Sequence, residues 1–324
     1  MSIADDAERV TQSDEDYIKE LAALSKLEYE QVRNVAAERL GCRATTLDKI
    51  VAEVGKAEGQ SDAKGRSITL YEPEPWPDQV NGADAMDEAL REIKAHMSIR
   101  HEHAVASVLW AAHTHVYDIF MHSPRLAVNA PEAECGKSLL MTLLVGNLVT
   151  RPQPVEIMKP APFFRLAESH RPCFLIDECD VFIKEDSDLL AAINNGWQPQ
   201  GGVIRCIGDD FEPRHFTTFT PVALGGIKLE KVLPATTISR SIVINLIRAV
   251  EGEVSEPFTP DSAGRLRVIG RMIARWCADN RAAIADASPE LPGGAFNRRA
   301  DRWRPLFKIA HVAGGYWPDR ARAA

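Results

Sequence analysis

No two of the six cysteines stand in a Cys-x-x-Cys pair. That absence removes zinc-finger and zinc-ribbon chemistry and leaves no disulfide framework, because both depend on short recurring spacings. A membrane-spanning run is also missing: the longest apolar stretch, about Ala104 to Met121, is broken by His113, His115 and Asp118 and reads as a buried helix. The first ten residues carry Asp5, Asp6 and Glu8 and lack the apolar centre of a secretory signal. A cytoplasmic chain with reduced thiols and no membrane partner is expected. Net positive charge is lacking as well, and at −8 the whole chain has no overall attraction for nucleic acid.

What is present is a globular composition, 45% hydrophobic over 324 residues. Within it, the apolar residues Leu126, Ala127 and Val128 lead into Ala130-Pro131-Glu132-Ala133-Glu134-Cys135-Gly136-Lys137-Ser138. This is the order of a nucleotide phosphate loop. Such a loop needs a glycine where backbone N–H groups approach phosphates, here Gly136, a lysine for the β and γ phosphates, Lys137, and a hydroxyl for Mg²⁺, Ser138. The run from Leu139 to Leu144 would supply the helix whose N-terminus faces the phosphates. Glu134, Cys135, Gly136, Lys137, Ser138 and Leu139 are therefore the expected nucleotide-binding residues, with ATP and Mg²⁺ as cofactors. The pattern lacks its first glycine, where Pro131 stands and offers no N–H. Glu132 and Glu134 are unfavourable beside a triphosphate, so their side chains are expected to point outward.

Pro172-Cys173-Phe174-Leu175-Ile176-Asp177-Glu178 reads as a buried parallel strand with two acids at its C-terminal end. Ligands of open α/β sheets bind at that end, where Asp177 would hold Mg²⁺ through water and Glu178 would act as general base. The spacing between the two motifs accommodates a helix, a strand near Val155 to Met158 and a second helix near Phe163 to Ser169, the parts of a right-handed crossover.

Upstream, three amphipathic stretches, Asp14–Leu24, Tyr29–Leu40 and Thr46–Val54, make a helical module over 1–56, with Ser13 and Asp16 as a capping box and Gly41 as a stop. Up to residue 90 acids outnumber bases about two to one, which favours a protein-contact module over a DNA reader. A Pro-rich linker is placed at 57–82 and a helical segment packed on the core at 83–120. His101, His103, His113 and His115 are read as surface or partly buried histidines, because residues two apart on a helix face different ways. The nucleotide core is assigned to 121–250. It includes a helix over Asp188–Gly196, a strand or hairpin over Gly201–Gly208 and a core strand over Pro221–Ile227. That last strand ends in Gly225-Gly226, where a polar sensor is usual, so only Thr220 offers itself. Arg240, directly before the apolar strand Ser241–Ile244, is placed as an arginine finger would be, and Arg248 is a weaker second. The end of the chain, 251–324, reads as a basic helical lid: from Arg265 onward twelve Arg and Lys face five Asp and Glu, interleaved with Trp276 and Trp303. Such a surface could bind single-stranded DNA or neutralise the acidic front.

With these residues in place, the chain resembles a P-loop family known only as a domain of unknown function in replication proteins of phages, plasmids and integrated elements. The likeness lies in Leu24–Arg33, Ala36–Leu40, Pro124–Ser138, Phe164–Leu166, Leu175–Asp180, Ile193–Gly196, Phe219–Ile227, Ser239–Ile244 and Trp303–Leu306. It implies an α/β fold: an additional-strand, helicase-like P-loop NTPase core, acting on DNA as a ring or beside other replication proteins, with the Ala-Pro opening of the loop as normal variation. No primase-type metal cluster is evident. The expected function is a Mg²⁺-dependent ATPase of mobile-element or phage replication, with Lys137, Glu178 and Arg240 as catalytic residues and Ser138 and Asp177 at the metal. The alternatives are a slowly hydrolysing ATP switch that contacts protein partners, and a degenerate loop without nucleotide.

Overall fold

The computed structural model describes residues 14, 16–24, 26–57, 68, 70–182, 186–207, 211–250, 252–254, 256–293 and 297–324. The chain divides into two compact units, 1–68 and 69–324. In the first, residues 16–23 are helical, followed by α1 (Lys26–Arg39) and α2 (Ala44–Ala57). Gly41, at φ +63°, ends α1 by turning left-handed, with the Cys42 N–H returning to the Ala37 carbonyl at 3.0 Å. Leu21, Ala36, Ala37 and Leu47 form its small core, and Arg33 grips Asp48 with both ends of its guanidinium at 2.8 and 2.9 Å. Ser13 of the expected capping box lies outside the described residues.

The second unit opens with an extended Pro-rich stretch that was expected to link modules. Its described part is pinned along a later helix: the Trp76 N–H donates to the Arg271 carbonyl at 3.1 Å, and Arg271 Nε donates to the Glu74 carbonyl at 2.7 Å. Next come α3 (Gly82–His96), capped by Asn81, and α4 (His101–Thr114). From Ala104 to Thr114 every residue of α4 is buried, as a helix apolar on all sides requires.

The sheet has five parallel strands, β1 (Arg125–Ala130), β2 (Pro152–Val155), β3 (Cys173–Ile176), β6 (Val222–Ile227) and β7 (Ser241–Asn245), in the order β2-β3-β6-β1-β7. Strands β4 (Gly202–Ile207) and β5 (Glu212–Thr217) form a separate antiparallel hairpin. Alternation along each strand divides the core in two. Leu126, Val128, Leu175, Ala223, Ile242 and Ile244 face one helical layer, while Ala127, Phe174, Ile176, Val222 and Leu224 face the other. The second strand begins earlier than expected, at Pro152. Its two prolines lack N–H donors, and they are tolerated because β2 lies at the sheet edge.

The layers are completed by α5 (Pro160–His170) and α6 (Ser187–Asn195) on one face. On the other lie α3, α4, α7 (Pro260–Asp279), α8 (Asn297–Ala313) and α9 (Trp317–Ala323). The C-terminal helices, expected as a lid, thus share the main core: Leu266, Ile273, Leu306, Ile309 and Trp317 are fully buried with α3 and α4. Among the described residues no helix is long and apolar enough to cross a membrane.

Candidate functional site

The stretch 131–138 leaves the C-terminal end of β1 and enters a π-helical turn, Leu139–Leu144, where an α-helix was expected. Extra width of this kind recurs beside functional sites. The stretch relies on two left-handed residues, Glu134 (φ +64°) and Gly136 (φ +79°). Cys135 turns inward and is buried; Leu139 packs partly against the core. Glu132 and Glu134 point outward, their side chains 59% and 77% exposed.

Lys137 and Ser138 converge on one carboxylate. Lys137 Nζ lies 2.6 Å from Asp177 Oδ1, and the Ser138 hydroxyl donates to Asp177 Oδ2 at 2.6 Å. Asp177 extends the C-terminal end of β3, and β6 separates β3 from β1, so the two motifs meet across an intervening strand. The strand between them passes close beneath Asp177 at Gly225. A Cβ on Gly225 would lie 3.1 Å from Asp177 Oδ1 and equally close to Met141 Cε, a tight fit, and no polar sensor stands there. Burial pushes the Asp177 pKa up, but hydrogen bonds from Lys137, Ser138 and the Glu178 N–H outweigh it and hold the carboxyl below its usual range. Glu178 adopts φ +54°, an unusual conformation for a side-chain-bearing residue, and its carboxylate is 65% exposed, 4.0 Å from Lys137.

Not every expected residue joins this group. Arg240 sits at the N-terminal end of β7, where its carbonyl accepts from the Arg125 N–H at 3.0 Å, and its guanidinium donates to the Thr236 carbonyl at 2.8 Å. A strand the length of β1 therefore separates it from Lys137 in the same chain, roughly 15–20 Å. Thr220 lies at that same far end, buried, its hydroxyl donating to the Pro172 carbonyl, and so is removed from any sensor role at the loop. Arg248, also considered a finger toward a neighbour, pairs instead within its own chain, at 3.8 Å from Glu132 and 3.1 Å from Glu134.

The structure adds Asn129, one residue before the end of β1. Its Oδ1 accepts from the Leu229 N–H at 2.8 Å and its Nδ2 donates to Asn245 Oδ1 at 2.9 Å, tying the ends of β1 and β7 to the helical turn that follows β6. A polar residue inside an apolar strand was the available signal. The basic tail is largely engaged: Arg265 with Glu92, Arg271 with Glu74, Arg275 with Asp279, Arg281 with Asp118 and Arg320 with Asp87. Among the described residues, the Arg298 guanidinium donates to the Ser239 hydroxyl and that of Arg302 to the Ile238 carbonyl. Trp303 packs partly against the core, edge-on to Phe307. Two of the histidines have their own neighbours: the His113 ring stacks on Phe120, and His115 Nε2 lies 2.8 Å from the Leu148 carbonyl.

Likenesses to known proteins cover different shares of the chain. Residues 245–324 match a family described as a protein of unknown function (DUF3631). A Saccharopolyspora erythraea protein, named an uncharacterized 28.9 kDa protein in the xis 5′ region, is 35% identical over 78 residues. That match covers 24% of this chain and 29% of the relative, less than a third of its length. The apo NrS-1 C-terminal region in its A form aligns over 85% of this chain and 67% of its own at 12% identity, with a TM-score of 0.41. A further apo structure of that region aligns over 78% and 56%, at 11% identity and a TM-score of 0.38. The matched segment, 245–324, contains none of Lys137, Ser138, Asp177 or Glu178.

Proposed function

We propose that the protein is a Mg²⁺-dependent ATPase that binds ATP phosphates on the 131–138 loop and acts on DNA in the replication of a mobile element or phage. One observation carries the reading: Lys137 and Ser138, on the turn after β1, both reach Asp177 at the end of β3 across an inserted strand. A lysine and a hydroxyl following a glycine at φ +79° fit phosphate binding, and the parallel sheet presents them at its C-terminal edge.

The donors fit the metal. Ser138 and Asp177 offer hard oxygens, the class Mg²⁺ takes, and the ion would supply charge neutralisation on the phosphate oxygens. On binding ATP, Lys137 exchanges the Asp177 carboxylate for β and γ phosphate oxygens. Asp177, released from that pair, would help hold the metal. Glu178 then accepts the proton of the attacking water, and its exposed carboxylate is free to do so. Arg240, at the far end of the sheet, serves a neighbouring copy stacked head to tail. DNA contact falls to Arg298, Arg299, Arg302 and Arg304 on α8. The mobile-element setting rests on the sequence resemblance, and the relative named for the xis 5′ region is in keeping with it.

Glu178→Gln is expected to bind ATP as the unaltered protein does while turnover falls about a hundredfold or more, the loss expected of a missing general base. Lys137→Ala is expected to lose binding. Steady-state phosphate release and a fluorescent-ATP titration measure both, and unchanged turnover in Glu178→Gln removes the assignment. A regulatory ATP switch is the second reading, favoured by the pairing of most tail arginines with acids of the same chain, which narrows the surface open to DNA. Hydrolysis that ignores added single-stranded DNA selects it.

A further inference from the structure

The loop carries two glutamates where a polyphosphate must approach, and the same chain supplies a cation to both. Strand β7 lies beside β1, and their pairing continues past the strand ends, with the Leu246 N–H donating to the Asn129 carbonyl at 2.9 Å. Two residues on, Arg248 is delivered to the side of the loop. Its two terminal nitrogens divide between the acids, one 3.8 Å from Glu132 and the other donating a hydrogen bond to Glu134 at 3.1 Å. A planar fork can serve two carboxylates at once; a single ammonium cannot hold the same geometry.

We propose that Arg248 is a positioning residue that neutralises Glu132 and Glu134, so that the 131–138 loop accepts a polyphosphate. The proposal rests on the ATP reading and deepens it. Arg248, Glu132 and Glu134 are 61%, 59% and 77% exposed, so their pairing contributes little to folding. What it changes is the field at the loop mouth. Without Arg248, Lys137 would stand alone against Glu132, Glu134, Asp177 and Glu178. With it, the two outer acids are held to the β7 side and their charge is offset. Exposed charges act over about a Debye length, so the effect scales with ligand charge and fades in salt. Glu134 has its backbone in the left-handed region, φ +64°, which sets the direction of its side chain locally and leaves Arg248 to answer it.

The test is titration of fluorescent ATP, and of unlabelled AMP in competition, into the full chain and into Arg248→Ala, Arg248→Lys, Glu132→Gln/Glu134→Gln, and that double variant combined with Arg248→Ala. Arg248→Ala is expected to weaken ATP binding on the order of tenfold and AMP binding far less, with KM moving much more than kcat and the melting temperature nearly constant. Arg248→Lys restores part of the affinity. In the double-glutamine background, removing Arg248 changes ATP affinity by less than about twofold, and at roughly 0.5 M NaCl its effect in the unaltered loop shrinks likewise. ATP affinity unchanged in Arg248→Ala overturns the proposal and leaves the ATP reading standing. Equal losses with and without the glutamates also overturn it, because Arg248 would then act on the nucleotide directly. ATP binding absent from the unaltered protein, and no different in Lys137→Ala, brings down the ATP reading and this proposal together.

Discussion

Two histidines, His113 buried and His115 half-buried, tie the stability of the chain to pH. His113 is pushed down to about 3, first by burial and then by the Arg125 cation, and His115 to about 4, again chiefly by burial. Both rings are neutral in the fold, while the unfolded chain protonates them near the ordinary value of 6.5. Their contribution is therefore complete above pH 6.5 and is lost as pH falls from there toward 3 to 4. By about pH 5 each ring is expected to have removed on the order of 2 kcal/mol. Urea unfolding at about pH 7.5 and pH 5 should show this, and His113→Phe should flatten the slope. At this scale the sequence was informative about position: that Lys137, Ser138, Asp177 and Glu178 would gather was legible, because a loop after one parallel strand and an acidic end on another both fall at the C-terminal edge of the sheet. Arg248 was not legible as a partner of Glu132 and Glu134, since more than a hundred residues separate it from them and only strand pairing brings them together.

Among the elements, α7 shows how a glycine can set an interface. Gly270 lies where a Cβ would stand 2.6 Å from the Asn147 carbonyl oxygen, and backbone cannot yield as a side chain can. Gly270→Ala is expected to cost about 1–3 kcal/mol, by overpacking, and thermal unfolding would register it as a lower melting temperature. The strands were largely readable from apolar alternation and runs. The edge strand β2 was shifted because its prolines look like loop punctuation until its outer neighbour is known to be absent. The π-helical turn at Leu139–Leu144 was not readable, since its apolar residues suit either helix type and the choice lies in packing beneath β1.

On the scale of the whole molecule, Arg240 and Lys137 occupy opposite ends of one sheet, so a shared site requires a second copy. If Arg240 serves the neighbour, Arg240→Ala and Glu178→Gln are each inactive alone, yet mixing them restores a fraction of turnover in assemblies that pair an intact Glu178 with an intact Arg240. Hydrolysis assays of the mixture check this, and no recovery, with assembly confirmed by sedimentation, excludes a shared site. The acidic front and basic tail, separate in sequence, meet in the larger unit: Arg320 pairs with Asp87, and Arg265 with Glu92. Much of the tail's charge is therefore offset by acids of the same unit.

The sequence by itself determined the layered α/β class, the two motifs at the sheet edge and the absence of zinc-finger spacing, because periodicity, spacing and residue chemistry are local properties. Tertiary structure alone decided that β6 lies between the two motif strands, that Arg240 is remote from Lys137, that Arg248 faces the loop glutamates and that the C-terminal helices join the core. Each of these depends on strand order and helix packing, and residues far apart in sequence become neighbours only when the sheet assembles.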